Sequence, residues 1–154
     1  SFLDIGAMLE RVLRVVLLLR HRLPDLLTLQ VDVNVPVQHA LLRAVLRSAG
    51  SLENYRRAHG VALSPREVLS FLLFEHGTPT SVAFGIAHLE SDLGSIEQGS
   101  VLTEPARLIG RMSARLRYER QDLLKGRDFA SVCDGLIGDV TSIHDSLTRL
   151  YFTV

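Results

Sequence analysis

The chain has 154 residues, the length of about one ordinary domain, and 47% of them are hydrophobic, which is enough for one core. Seventeen basic residues balance seventeen acidic ones, which excludes a nucleic-acid binder that relies mainly on electrostatic attraction. A single cysteine, Cys133, excludes an internal disulfide, and residues 9–19, the most apolar stretch, are interrupted by charges and too short to span a membrane. We therefore expect one cytoplasmic globular domain over residues 1–154.

Apolar periodicity and punctuation predict an all-α fold, a helical bundle of about six helices. The first helix is expected over residues 2–22, because the residue before Pro24 is pushed out of the helical region. Residues 29–35 alternate apolar and polar side chains, as a connector or a lone strand would. No second strand is predicted to pair with them, so a connector is favoured.

Capping residues divide the rest of the chain. Ser64, Pro65 and Glu67 give the clearest start signal, an N-cap serine with proline at the first helical position and a capping-box glutamate. Gly50 and Gly77 are natural helix ends. The predicted helices are Asn34 to Ala49, Ser51 to Gly60, Ser64 to His76, Thr78 with Pro79 to about Leu93, Thr103 to Lys125, and a last one from Asp128 after Gly126.

Two of these helices carry strong apolar patterns. The helix opened by Ser64 is apolar at nearly every position over residues 68–74, so it should be central. The last helix has one apolar stripe at spacings of three or four, typical of a bundle helix; its members are Phe129, Val132, Leu136, Val140, Ile143, Leu147 and Leu150. Cys133 lies beside this stripe, which favours a core cysteine over a nucleophile.

The standard signatures of enzymes and metal sites are missing from the sequence. It contains no Gly-rich phosphate loop, no His-Glu-x-x-His helix and no Gly-x-Ser-x-Gly elbow. None of the eight glutamates has a histidine three residues later, as a carboxylate di-iron bundle requires. The six histidines share no metal-ligand spacing, so we predict no metal and no cofactor.

Glu10 is the most informative single residue. On a helical wheel it falls at the edge of the arc that carries Leu9 and Leu13, so we expect it to point partly inward. A buried carboxylate is costly unless it is paired. Its candidate partners are Arg14 one turn later and, across helices, Arg56 and Arg57. A buried ion pair is the favoured interpretation, and a ligand-binding carboxylate is the alternative.

Three segments together resemble the bacterial alpha-E domain family. They are Phe2 to Gly6 followed by Leu9-Glu10-Arg11, Ser51 to Arg57, and Leu72 to Glu75 followed by Thr78 to Phe84. The Glu-Arg motif of that family corresponds here to Glu10-Arg11. The resemblance implies a domain of two related halves, of which this chain is similar to the C-terminal one, down to the Tyr151-Phe152 ending.

The chain departs from the family pattern at two places. It has Gly6-Ala7 where the family often has Gly-Arg, and Thr78-Pro79-Thr80-Ser81 where the family tends toward Asn-Pro-Arg-Ser. Each departure removes an arginine, at Ala7 and at Thr80, which weakens the case for an anion site at these positions. The helix corner of Thr78, Pro79 and Ser81 is expected to persist, because threonine can cap a helix and Pro79 fixes the backbone.

The resemblance implies a non-catalytic helical partner of ATP-grasp amidoligase-like and transglutaminase-like proteins in peptide modification or synthesis. The leading hypothesis is therefore an interaction or scaffold module without contacts to nucleic acid or membrane. The alternative is a small enzyme or ligand-binding bundle with Glu10, Arg11, Tyr55 and Arg56 around a polar cavity. A deep pocket holding these four side chains would favour the alternative, and a packed ion-pair network would favour the scaffold.

The resemblance to one half of a larger domain also predicts self-association. Such a half should expose the apolar surface that meets the other half, supplied by residues 9–19 and 68–74. A two-fold homodimer would cover this surface. The alternative is a second half in a longer parent chain or in a partner.

Overall fold

The computed structural model describes residues 2–28, 35–97, 102–124 and 129–152. Within these ranges the chain forms seven α-helices and a π-helical turn, without a strand, so the predicted all-α fold is confirmed. The elements are α1 (Phe2–Thr28), α2 (Val35–Ser48), α3 (Leu52–His59), α4 (Pro65–Phe74), α5 (Val82–Ile96), α6 (Glu104–Leu124), α7 (Phe129–Leu147) and the π-helical turn Thr148–Phe152. The predicted connector lies outside the described residues except for Val35, and so do Lys125, Gly126 and Asp128.

One core runs through the described part of the chain. Helix α1 packs against α5 and α7, and α6 packs against the same two helices from another side. Helix α4 contacts α1, α2, α5 and α6, as expected for a central helix. Its buried apolar side chains are Val68, Leu69, Phe71, Leu72, Leu73 and Phe74. None of the helices in the described ranges has the length and apolar character needed to cross a membrane.

Helix α1 continues past the predicted end. It passes through Pro24 and ends at Thr28, so the prediction that it stops at Arg22 is wrong. The conformational restriction before a proline is a bias, and proline inside a helix removes one backbone hydrogen bond. The turns of α1 before Pro24 are packed into the core along a buried face from Ile5 to Leu19, which favours continuation of the helix past Pro24.

The caps at the end of α2 and at the start of α4 follow the predicted chemistry. Gly50 has φ +69°, and the N–H groups of Gly50 and Ser51 donate to the carbonyls of Arg47 and Leu46, which is a Schellman motif. Ser64 Oγ accepts the N–H of Glu67 at 3.2 Å, with Pro65 at the first helical position. Both predicted boundaries are confirmed. The second half of the predicted capping box is absent, because among the described residues the Glu67 side chain accepts from Tyr55 and makes no hydrogen bond with the Ser64 N–H.

The corner between α4 and α5 differs from its prediction. Helix α4 ends at Phe74 rather than His76, and α5 starts at Val82 with Ser81 as its N-cap. Ser81 has an extended backbone and its Oγ accepts the N–H of Phe84 at 3.1 Å. Thr78 and Pro79 belong instead to a turn, closed by the Ser81 N–H on the Thr78 carbonyl. In the sequence, Thr78 followed by Pro79 has the pattern of an N-cap with proline at the first helical position, but the N-cap is Ser81, two residues after Pro79.

The last helix confirms its stripe with one exception. Phe129, Val132, Leu136, Val140, Ile143 and Leu147 are buried, and so is Cys133. Leu150, which continues the stripe in sequence, is 50% exposed. It lies in the π-helical turn, where hydrogen bonds span five residues and shift the register of the side chains.

Glu97 connects the end of α5 with the start of α6 and with the π-helical turn through hydrogen bonds. It caps the C-terminus of α5, and its Oε2 accepts the hydroxyl of Thr103, the residue before α6, at 2.5 Å. Its Oε1 accepts the hydroxyl of Tyr151 in the π-helical turn. Burial and this contact raise the pKa of Tyr151 to about 12.

The prediction that the apolar residues of segments 9–19 and 68–74 are exposed and form a dimer surface is wrong. The apolar residues of α4 are buried within the chain itself, and so are Leu9, Val12, Val15, Val16 and Leu19 of α1. They pack against other helices of the same chain, because these helices form its own core. The dimer itself stays a prediction.

Candidate functional site

The Glu-Arg pair lies on the solvent side of α1. Glu10 and Arg11 are both exposed, and so is Arg14, so the prediction that Glu10 is buried is wrong. The buried face of α1 includes Val12, and a residue two positions away lies about 160° around a helix. Leucines occur all around α1 and make the helical wheel ambiguous; Leu3, for example, is 86% exposed.

Glu10 also lacks the predicted arginine partner. Among the described residues, no ion pair joins its carboxylate to Arg14, Arg56 or Arg57, and all three are exposed. Arg56 instead contacts Glu53 on its own helix, at 3.4 Å between Nη1 and Oε1. The Glu-Arg pair is therefore available to another molecule.

A cleft of about 380 Å³ lies beside Glu10. It runs between the first turns of α1 and the end of α7, where His144 and Leu147, with Thr148 of the π-helical turn, form the opposite wall. Gly6 and Ala7 line the α1 side and keep the cleft open. A Cβ added at Gly6 would have no atom within 4 Å.

A second cleft, of about 330 Å³, lies beside Arg11. It is lined by α1 and α5, with Asp4, His88 and Asp92 as its polar members. His88 Nε2 lies 3.4 Å from Asp92 Oδ2, and its ring stacks on Phe84 with the centroids 6.0 Å apart. This side of the pair is therefore more polar than the Glu10 side.

Ala7 lines both clefts, so they border one continuous surface. We call it the ER face; it comprises Leu3, Gly6, Ala7, Glu10, Arg11 and Arg14. It combines an exposed leucine, two small residues and three charged side chains. Ala7 lies at its centre.

Tyr55 lies in a different part of the molecule. It is fully buried, its ring is edge-on to Phe71 at 5.2 Å and stacks on His59 at 4.8 Å. Its hydroxyl donates to Glu67 Oε2 at 3.3 Å. Burial, together with the neighbouring Glu67 carboxylate, raises the pKa of Tyr55 to about 12.

The four side chains of the alternative hypothesis therefore do not meet. Glu10 lies in the cleft against α7, Arg11 in the cleft against α5, and Tyr55 against α4. Arg56 is exposed on α3. These positions give neither the polar cavity nor the packed ion-pair network that the two hypotheses describe.

Two of the resembling segments do meet, at a buried polar corner. The hydroxyls of Ser51 and Thr80 are hydrogen-bonded to each other, and Ser81 Oγ donates to the carbonyl of Glu75. Ser51, Ser81 and Thr78 are all buried, while Pro79 is exposed. The corner joins the start of α3 to the start of α5, so its residues have a structural role.

A cleft on α4 was not predicted from the sequence. It has a volume of about 320 Å³ and is lined by His59, Glu67, Ser70, Phe71, Phe74, Glu75 and His76. The available signal was the spacing of residues 67, 70, 71 and 74, which places them on one helix face. Another cleft, of about 490 Å³, shares Phe74 and His76 with it and includes Arg117 of α6.

Metal-ligating residue types are scattered over the described ranges. No group of three or more His, Cys, Asp or Glu side chains there is arranged to hold a metal ion. Cys133 is buried in the core, and burial raises the pKa of its thiol to about 12. A thiol of this kind is a poor nucleophile at neutral pH.

Comparison with known proteins places the chain in a family. It is 25% identical, over 96% of its length, to uncharacterized proteins of Mycobacterium bovis and Mycobacterium tuberculosis, and it spans 17% of the length of these relatives. No solved structure matches it. The model of the Alpha-E family, described as a predicted alpha-helical domain with a conserved ER motif, matches residues 1–152. The chain therefore belongs to the Alpha-E family.

Proposed function

We propose that this domain is a non-catalytic interaction module that binds a protein partner through the ER face. The observation that carries this proposal is the exposure of Glu10 and Arg11. A charged pair that defines a family and makes no internal ion pair in the described part of the chain is suited to an external contact.

The shape of the ER face supports the same proposal. Gly6 and Ala7 leave room for a partner to approach the α1 backbone between two clefts. Leu3 supplies an exposed apolar contact, and Glu10, Arg11 and Arg14 can form charged contacts at its edges. Interfaces commonly combine an apolar centre with a polar rim.

The partner class that we propose is an ATP-grasp amidoligase-like protein, acting with a transglutaminase-like protein in peptide modification or synthesis. This part rests on the family resemblance. In such a complex the ligase would carry the chemistry, and the helical domain would position it or its peptide.

Binding to the purified ATP-grasp-like protein of the host tests the proposal. Glu10→Arg and Arg11→Glu reverse charges on the ER face, and Arg57→Glu reverses the charge of an exposed arginine on α3 as the control. We expect each ER-face variant to weaken binding about tenfold or more, equal to about 1.4 kcal/mol, while the control binds as the native chain does.

Calorimetric titration measures the affinities, and circular dichroism confirms that each variant is folded. Equal affinity of the native chain and both ER-face variants would overturn the role of this face. An absence of binding to ATP-grasp-like and transglutaminase-like proteins alike would overturn the proposed partner class.

A further inference from the structure

The α4 cleft lies apart from the ER face, and its polar lining is at the surface, with Glu67, His59 and His76 exposed and Glu75 half-buried. Its floor is one face of α4, formed by Glu67, Ser70, Phe71 and Phe74 in succession along the helix. Both phenylalanines are at least 95% buried, and both line the cleft. His59 closes one side and packs edge-on against Phe71 at 5.6 Å. The cleft therefore has an aromatic floor with polar ends.

The two polar ends both carry carboxylates. Glu67 lies in the first turn of α4 and Glu75 is its C-cap residue. Eight residues along an α-helix correspond to about 12 Å. The C-terminal end of a helix carries a partial negative charge, so Glu75, the C-cap of α4, adds a carboxylate where the backbone is already electronegative. This end of the cleft should attract a cation.

Both carboxylates are held in position by neighbouring groups. The buried Tyr55 hydroxyl donates to Oε2 of Glu67 at 3.3 Å. The N–H of Gly77 donates to Oε1 of Glu75 at 3.3 Å. Each of these contacts engages one oxygen, and the other oxygen of each carboxylate can accept from a ligand.

We propose that the α4 cleft binds a small organic cation, a guanidinium or ammonium group on a short alkyl chain. The charged group would pair with Glu75 or Glu67, and the alkyl chain would lie along Phe71 and Phe74. The volume of about 320 Å³ suits a ligand of the size of an amino-acid side chain. The remaining charged or titratable groups at the cleft are His59 and His76, with Arg117 in the adjoining cleft. The site is independent of the ER face.

Agmatine, which carries a guanidinium and an ammonium on a four-carbon chain, is the probe. Titration followed by amide NMR should move the Gly77 signal, because its N–H donates to Glu75. We expect a dissociation constant of about 1 mM or lower. 4-Guanidinobutanoate, which replaces the ammonium with a carboxylate, should bind more weakly. An acetylated Gly-Arg-Gly amide that binds more tightly than agmatine would identify an arginine side chain as the ligand, and the reverse order a free amine.

Glu67→Gln and Glu75→Gln remove one charge each at constant side-chain volume. Each should weaken agmatine binding about fivefold to tenfold, whereas Glu104→Gln on α6 should leave it unchanged. Thermal unfolding reports whether Glu67→Gln, which alters the Tyr55 partner, remains folded; Glu75→Gln carries the test if it does not. No saturable binding, or equal weakening by all three variants, would overturn the proposal. Binding to a protein partner through the ER face is measured separately, so either proposal can fail alone.

Discussion

Tyr55 joins the core to the α4 cleft, since its ring is fully buried while its hydroxyl reaches Glu67. Its folded pKa, about 12, lies above the ordinary value of 10.0. The neutral phenol therefore stabilises the folded state fully below pH 10, and this contribution is lost as the pH rises toward 12.

The variant Tyr55→Phe, which lacks only the hydroxyl, tests how much the neutral phenol stabilises the folded state. We expect the variant to lose about 1 kcal/mol of unfolding free energy at pH 7, because one hydrogen bond is removed. The difference between native and variant chains should shrink between pH 10 and pH 12. Urea unfolding at a series of pH values measures it, and a difference that grows with pH would contradict the assignment.

Cys133 should not react with thiol reagents while the chain is folded. It is fully buried, and its raised pKa, about 12, leaves little thiolate at pH 8. We expect a thiol reagent to label it only as the chain unfolds, so that labelling follows the urea transition. Rapid stoichiometric labelling of the native chain would show that the thiol is accessible.

Cys133 and Glu10 also show how far sequence predicts a residue's surroundings. The burial of Cys133 was predictable because α7 has a single apolar stripe beside it. The exposure of Glu10 was not, because α1 has leucines on nearly every side. Only the packing of α1 against α5 and α7 decides which of these leucines are buried.

At the scale of elements, Gly85 sets how closely α5 approaches α1. A Cβ at this position would lie 2.5 Å from Cγ2 of Val12. Because Val12 is β-branched and has little rotamer freedom, the helices themselves would have to separate. We expect Gly85→Ala to destabilise the chain by about 1 to 3 kcal/mol.

Gly94→Ala on the same helix is the matched control, since nothing lies within 4 Å of its added Cβ. It should stabilise the chain by about 0.5 to 1 kcal/mol through helix propensity. Thermal unfolding of both variants measures the pair. Equal effects would show that α1 and α5 are not in close contact at Gly85.

The caps Ser64 and Ser81 provide a second comparison of elements. Both accept an N–H three residues on, but Ser81 is also 98% buried and donates to the Glu75 carbonyl. We expect Ser64→Ala to cost about 1 kcal/mol and Ser81→Ala about 2 kcal/mol. Urea unfolding measures both, and the reverse order would contradict the role of Ser81 at the corner.

Residues that are close together in the chain were enough to predict most of the helices. They were not enough to predict most of the contacts between the helices. The caps at Ser64, Gly50 and Thr103 depend on neighbouring backbone, so the sequence reveals them. The hydrogen bond between Ser51 and Thr80 joins residues far apart in the chain. The α4 cleft likewise needs His59 from another helix, and no local pattern supplies that information.

At the scale of the whole molecule, the chain covers its most apolar helices with its own residues. The exposed large hydrophobics in the described ranges include Leu3, Val61 and Leu102. If the chain forms the predicted two-fold dimer, light scattering at micromolar concentration should give twice the mass of 17.1 kDa. A folded monomer would show that one chain is sufficient for this fold.

The first turn of α1 lies beside the last turn of α7, where residues 3–10 share a cleft with residues 144–148. A ribosome adds about 5–20 residues per second. The end of α7 is therefore synthesised on the order of ten seconds after the first turn of α1. During that time the face containing Ile5, Leu9 and Val12 has only part of its final cover. The apolar face of α1 therefore reaches its final packing only after nearly all of residues 1–154 have been synthesised.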